Sequence, residues 1–275
     1  MIVEDKLERL RELVADVPSA IVAYSGGADS AFLADVAHEV LGIRAVAVTA
    51  VSPSLAPEER EAARALAAER GWRHREVQTF EGERDEYIRN GPDRCYHCKT
   101  ELFETLAALV GADPGTAVFV GTNLDDESDV RPGRRAAVER GVRAPLLEAG
   151  LTKEEIRGLS RDRGLSTWNK PASACLASRI AYGVEVTPER LDRVARAESF
   201  LKTLGLTELR VRDHGDLARL EVPVADVARL ASDDLRAAVA SFMRELGFSY
   251  VTLDLEGFRS GSMNAVLLEI GRRGA

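Results

Sequence analysis

The feature that most constrains the fold is a short apolar run, Ala20-Ile21-Val22-Ala23-Tyr24, delivered straight into Ser25-Gly26-Gly27-Ala28-Asp29-Ser30. It reads as a buried strand, a glycine turn, and a helix over Ala31–Leu41 that Gly42 stops. A helix start presents unpaired backbone N–H groups and the positive end of its dipole, which suits an anion. Gly26 and Gly27 let the backbone approach a phosphate closely, and Ser25 and Ser30 add hydroxyl donors. No Gly-Lys-Ser/Thr is present, so this is not a Walker loop, and the glycine spacing is not that of a dinucleotide fingerprint. An ordinary strand-to-helix turn is the plain alternative, and the strand–turn–helix context weighs against it.

Further strands are predicted at Ala45–Thr49, Arg75–Gln78 and Ala117–Gly121, beside Ile21–Tyr24. Helices fall between them, at Glu58–Arg70 (opened by Pro57, closed by Gly71) and Lys99–Val110. An amphipathic helix carrying Leu7, Leu10, Leu13 and Val14 precedes the first strand. Such alternation predicts an α/β fold: a parallel sheet with helices on both faces. Ligands of open sheets sit at the carboxyl ends of the strands, so Ser25, Thr49 and Gly121 are expected close together. Thr152-x-x-Glu155 is a capping box opening another helix.

After residue 183 the pattern changes to a small α+β domain. Thr187-Pro188 opens a helix ending near Gly205, and Glu208–Asp213 with Arg219–Val222 flank a hairpin turn at His214-Gly215-Asp216. A helix over Val224–Leu246 and a strand at Tyr250–Leu255 complete it. The expected domains are therefore 1–183 and 184–275.

Composition narrows the function classes. The 275 residues are 45% apolar and 30% charged, with no run approaching a membrane span and no secretory signal at Met1-Ile-Val-Glu-Asp-Lys6. A cytoplasmic protein is expected. The net charge of −8 is spread along the chain, which argues against a nucleic-acid platform.

Three cysteines are present, Cys95, Cys98 and Cys175. In a reducing cytosol the Cys95-x-x-Cys98 pair points to metal or redox chemistry rather than a disulfide. Near a helix start the thiolate form is favoured. With Cys175, three sulfurs suit a 4Fe–4S cluster with one open iron, or zinc with His97 or water as fourth ligand; three unconnected thiols is the alternative. Asn123-Leu124-Asp125-Asp126 offers hard oxygens for Mg²⁺ against a pyrophosphate, or is simply an acidic solvated turn. Arg210 and Arg212 share one strand face and suit a phosphate or carboxylate, with Arg179 and Arg259 as further candidates. His38, in a helix, and His74, before a strand, read as structural.

Ser25–Ser30 resembles the PP-loop of the ATP pyrophosphatases, which cleave ATP between the α and β phosphates and transfer AMP to a substrate oxygen. Further matching segments are Gly121–Asp126, Arg131-Pro132-Gly133, Ala144–Lys153, Trp168–Arg179, Tyr182-Gly183 and Gly257–Asn264. With these the chain resembles the LarE family over most of its length, and Lys170–Arg179 is the most specific part. The resemblance implies an adenine nucleotide alpha hydrolase-like fold and an ATP-dependent sulfur transferase that releases AMP and pyrophosphate. Its substrate would be a carboxylate of pyridinium-3,5-biscarboxylic acid mononucleotide, converted to a thiocarboxylate in biosynthesis of the nickel-pincer nucleotide, the lactate racemase cofactor.

Carried over residue by residue, Ser25, Gly26, Gly27, Asp29, Ser30, Thr49, Gly121, Asn123 and Asp126 would bind MgATP. Ser178, Arg179, Glu198, Arg210, Arg212 and Arg259 would bind the substrate, with residues 184–275 also mediating oligomerisation, a hexamer by resemblance. In many members the cysteine matching Cys175 gives up its own sulfur and ends as dehydroalanine. Because this chain also carries Cys95 and Cys98, it looks like the subgroup in which three cysteines hold a 4Fe–4S cluster that passes on sulfide or sulfur from another donor. A sacrificial Cys175, a PP-loop tRNA thiolase and a non-catalytic nucleotide sensor with structural zinc are the other readings.

Overall fold

The structure is a computed structural model, and it describes residues 2–111, 115–128, 132–171 and 174–259. In chain order its first elements are α1 (Val3–Ala15), β1 (Ser19–Ala23), α2 (Ala28–Leu41), β2 (Ala45–Val51), α3 (Pro57–Glu69) and β3 (His74–Gln78). Next come α4 (Asp85–Ile88), α5 (Arg94–Val110), β4 (Thr116–Phe119), α6 (Pro132–Glu139), α7 (Pro145–Glu148) and α8 (Lys153–Asp162). The last are α9 (Pro188–Thr203), β5 (Arg210–Asp213), β6 (Leu217–Glu221), α10 (Val224–Leu230), α11 (Asp233–Glu245) and β7 (Tyr250–Leu253). Two compact units result: Met1–Glu81 with Cys95–Ser173, and Gly82–Arg94 with Ala174–Ala275.

The first unit is built on a parallel sheet of order β3-β2-β1-β4. Strand side chains alternate, so one apolar run feeds two cores. Ala20 and Val22 join Ala45, Ala47 and Phe119 against α1, α2, α3 and α8. Ile21 and Val48 face the other way, onto Phe103 and Leu106 of α5 and Ala136 and Ala137 of α6. The expected parallel sheet with helices around it is thus present. β4 stops at Phe119, short of the expected Gly121; Val120 N–H donates to the Arg143 carbonyl and Arg143 N–H to that of Val118, a parallel bridge between Phe119 and Arg143. Thr152 and Glu155 form the expected capping box.

In the second unit β5 pairs antiparallel with β6, and β6 parallel with β7. Their apolar face packs with Leu201, Val239, Met243 and Phe248. The single helix expected over 224–246 is two, α10 and α11, broken at Ala231-Ser232. The Ser232 hydroxyl donates to the Arg229 carbonyl, and Asp233 and Asp234 open α11 at its positive end.

Sequence pattern also missed that Gly82–Arg94 packs with the second unit, and that the units divide at residue 173 rather than 183. The cause is Asn90, wholly buried and in the left-handed region (φ 54°). Its carboxamide donates to the carbonyls of Ile180, Ala181 and Val184, while its Oδ1 accepts from Arg94 at 2.6 Å. Among the described residues no helix is long and apolar enough to cross a membrane.

Candidate functional site

At the carboxyl end of β1 the chain leaves the sheet through Tyr24 and turns at Gly26, whose φ of +73° favours glycine. A Cβ there would also lie 3.0 Å from that of Ala63 in α3. Gly27 then caps α2 in extended conformation. The turn is held by small polar groups: Ser25 N–H donates to Ser30 Oγ (3.2 Å), the two hydroxyls lie 3.1 Å apart, and Ser30 Oγ donates to the Gly27 carbonyl (3.2 Å). The result is a pre-shaped anion seat at the start of a fourteen-residue helix.

The neighbouring strands close around this turn, as expected of Thr49 and Gly121. Thr49 Oγ1 donates to the Tyr24 carbonyl (2.9 Å) and contacts His74 Nε2 (2.9 Å). His74 is the first residue of β3 rather than a residue before it, and burial lowers its pKa. His38 is likewise held, between the Ala34 carbonyl and Arg73 N–H, with its pKa lowered chiefly by burial. Burial also raises the pKa of the Tyr24 phenol, which donates to the Ala63 carbonyl. A Cβ on Gly121 would stand 2.9 Å from Ser30 N, so the segment after β4 lies directly on the first turn of α2. There Asn123 is buried, its N–H donating to Asp126 Oδ2 and its Oδ1 accepting from Asp125 N–H.

Two lysines flank the turn that residue pattern alone did not single out. Lys153 pairs with Asp29, and its N–H donates to Asp125 Oδ2 at 2.6 Å. Lys170 donates to the Gly26 carbonyl (3.0 Å) and to Glu59 (2.7 Å). The only prior signal was that each sits in a family-like segment. Asp29 Oδ1, on the second residue of α2, is a hard oxygen buried without a hydrogen-bond partner among the described residues.

In the second unit Ser178, Arg179, Glu198, Arg210 and Arg212 are brought together. Arg179 is buried, pairs with Glu198 (3.0 Å), and donates to the carbonyls of Ala174 and Cys175. Glu198 also accepts from Val211 N–H. Arg212 donates twice to Glu221, at 3.0 and 2.7 Å, and once to the Ser178 carbonyl. Arg219 also pairs with Glu221; neither Arg219 nor Glu221 was expected. Arg210 differs. Among the described residues it donates only to the carbonyl of Leu209, and it lies over the Phe258 ring at 5.1 Å, with its pKa lowered by burial and then by Arg179. Arg259 pairs instead with Glu256 at the surface.

Cys95 and Cys98 lie on the first turn of α5 in the first unit, Cys95 exposed and Cys98 half-buried; Cys175, in the second unit, is exposed. Among the described residues no three His, Cys, Asp or Glu side chains gather to hold a metal ion. Arg131, Ala172, Ser173 and residues 260–264 of the family-like segments lie outside the described residues.

One unit whose parallel sheet delivers a glycine turn and a helix N-terminus suited to an anion, and another that carries an arginine cluster, define the class: an α/β protein with a second, smaller unit. No family model matches the chain. It is 39% identical over 254 residues to pyridinium-3,5-bisthiocarboxylic acid mononucleotide synthase of Lactiplantibacillus plantarum, covering 92% of this chain and 91% of that one. The chain therefore belongs to the LarE family, of which that synthase is a member. It is also 48% identical over 264 residues to an uncharacterised protein of Synechocystis, covering 96% and 98% of the two chains. An uncharacterised protein of Methanocaldococcus jannaschii is 27% identical over 240 residues, covering 87% and 90%.

Proposed function

We propose that this protein is an ATP-dependent sulfur transferase acting on a carboxylate of pyridinium-3,5-biscarboxylic acid mononucleotide and yielding the thiocarboxylate of the nickel-pincer nucleotide pathway. The observation that carries the reading is the Ser25–Ser30 turn, held open against Gly121 at the start of α2, in a chain 39% identical to the named synthase.

A carboxylate is a poor electrophile, so it must first acquire a good leaving group. In this reading its oxygen attacks the α-phosphorus of ATP, the α–β bridging bond breaks, and pyrophosphate departs. The N–H groups of the turn, with Ser25 and Ser30, stabilise the developing phosphate charge. Lys153 and Lys170 supply positive charge beside it. The orphaned Asp29 oxygen, with Asp126, fits a Mg²⁺ bound with ATP, which when present neutralises phosphate charge. Arg210, which has no carboxylate partner among the described residues, is the arginine best placed to take an anionic group of the substrate, and Arg179 and Arg212 hold its surroundings. Holding reactants in place can contribute about 7–11 kcal/mol in favourable cases.

Sulfur then attacks the acyl carbon and AMP leaves with the bonding electrons. Cys95, Cys98 and Cys175 do not gather among the described residues; as ligands of a 4Fe–4S cluster, the role the resemblance implies, they would hold a group that would supply a deprotonated sulfide. The exposure of Cys175, one residue before the Leu176–Arg179 turn that carries Arg179, favours a second reading. In it Cys175 Sγ displaces AMP to form a thioester. Loss of the Cys175 Cα proton then breaks the Cβ–Sγ bond, leaving dehydroalanine and the thiocarboxylate.

Anaerobically reconstituted protein given ATP, Mg²⁺, sulfide and the biscarboxylate nucleotide should form AMP and product. Absence of AMP overturns the function. Absorbance near ~400 nm identifies the cluster. Replacing Cys95 and Cys98 together by Ala separates the two sulfur routes. A single turnover that leaves the protein about 34 Da lighter identifies sacrifice of Cys175, and loss of all sulfur transfer identifies relay.

A further inference from the structure

Across the carboxyl edge of the first unit's sheet, beyond the phosphate turn, stands a polar cluster to which no role has been given. Ser52 and Ser54 follow β2, and Glu81 follows β3. The two strand ends are adjacent: Val51 pairs with Gln78, and Thr79 N–H donates to the Val51 carbonyl. Both serine hydroxyls donate to one oxygen, Glu81 Oε1, at 2.5 and 2.8 Å. Glu81 is only 4% exposed, yet among the described residues no Lys, Arg or His pairs with it. A buried carboxylate with hydroxyl donors alone is a costly arrangement for stability, which makes Glu81 a candidate for a ligand contact. Its Oε2 takes no hydrogen bond from the described residues and so remains an open acceptor.

Position says what that acceptor would meet. Neighbouring strands are about 4.8 Å apart, so the end of β3 lies roughly two strand spacings, ~10 Å, from the turn after β1. A nucleotide whose phosphates sit on Ser25–Ser30 and whose nucleoside runs along the sheet edge toward β2 and β3 brings its ribose to this cluster. A carboxylate is the natural acceptor for a ribose hydroxyl, the arrangement that dinucleotide-binding sheets reach with an acidic residue at a different strand end. We propose that Glu81, oriented by Ser52 and Ser54, accepts a hydrogen bond from the ribose of the bound nucleotide and makes the site select ribonucleotides over deoxyribonucleotides.

The proposal rests on the reading of Ser25–Ser30 as an ATP seat, and one titration series separates the two. MgATP, Mg-2′-deoxyATP and Mg-3′-deoxyATP are titrated calorimetrically into the full-length wild-type chain and the Glu81→Gln variant. A hydrogen bond to a charged group predicts that the wild type binds ATP about tenfold to a hundredfold more tightly than one of the two deoxynucleotides. In Glu81→Gln that ratio should fall to within about twofold of one, through weaker ATP binding with deoxynucleotide binding little changed. Ser54→Ala, which frees Glu81 without removing its charge, should reduce the ratio partway. Wild-type protein that binds all three nucleotides equally overturns the proposal without touching the ATP reading. So does a Glu81→Gln variant that weakens all three by the same factor, the mark of a purely structural role. Wild-type protein that binds none of them overturns the ATP reading itself and this proposal with it.

Discussion

The two units organise their candidate site residues by opposite means. The first uses backbone: a glycine at φ +73°, a helix start, and strand ends brought within hydrogen-bond reach of one another. The second uses side chains: Arg179 and Arg212 fastened to Glu198 and Glu221, with Arg210 left to a carbonyl and an aromatic ring. A backbone site is rigid because the fold makes it, so its weak points are positions where a Cβ will not fit. A side-chain site is rigid because charges are paired, so its weak points are the partners. Arg212 and Arg210, two residues apart on one strand, should therefore behave as different kinds of residue.

The largest effect that would break this contrast is in the second unit. Arg212→Ala leaves Glu221, fully buried, with only Arg219 among its described arginine partners. A loss of about 3–5 kcal/mol in denaturant unfolding is expected, because a fully buried carboxylate loses the guanidinium that donates to it twice. A loss below about 1 kcal/mol would mean that Arg219 alone compensates Glu221. Next comes Gly121→Ala, whose new methyl must displace the first turn of α2. It should cost about 1–3 kcal/mol and abolish ATP binding in the same titration, whereas unaltered affinity would detach this segment from the site.

A smaller effect tests charge pairing at the surface of the first unit. Hydrogen bonds from Arg60 and then Arg64 hold the Glu76 carboxyl down to about 2. A lowered folded-state pKa gives stability that is present above the ordinary value and lost as pH falls toward the folded one. Wild-type stability should therefore decline between pH 4.5 and about 2, and Glu76→Gln should remove part of that decline. His38 and His74, lowered by burial, add a decline of the same sign just below the ordinary 6.5. The smallest stability change belongs to Arg210→Ala, within about 0.5 kcal/mol, since no carboxylate loses its partner. Its KM for the biscarboxylate nucleotide should nevertheless rise about tenfold. An unchanged KM would remove Arg210 from substrate binding.

The same contrast explains what was legible in the sequence. The glycine turn, the four parallel strands and the convergence of Ser25, Thr49 and Gly121 follow from local rules, because apolar runs and glycines act where they stand. The break at Ala231-Ser232 was hidden because both flanking segments are good helix formers. The membership of Gly82–Arg94 in the second unit was hidden because Asn90 finds its carbonyl partners some ninety positions away. The arginines were visible as candidates, but which one is left without a carboxylate depends on Glu198 and Glu221, whose pairing no spacing reveals. Lys153, Lys170 and Glu81 escaped for the same reason.

The central claim is that one chain both activates a carboxylate with ATP and replaces its oxygen with sulfur. Mass spectrometry of the biscarboxylate nucleotide after anaerobic incubation with the protein, MgATP and sulfide tests it most directly. The account predicts AMP together with a product heavier by one sulfur-for-oxygen exchange. A nucleotide recovered unchanged, or ATP converted only to ADP, would contradict it.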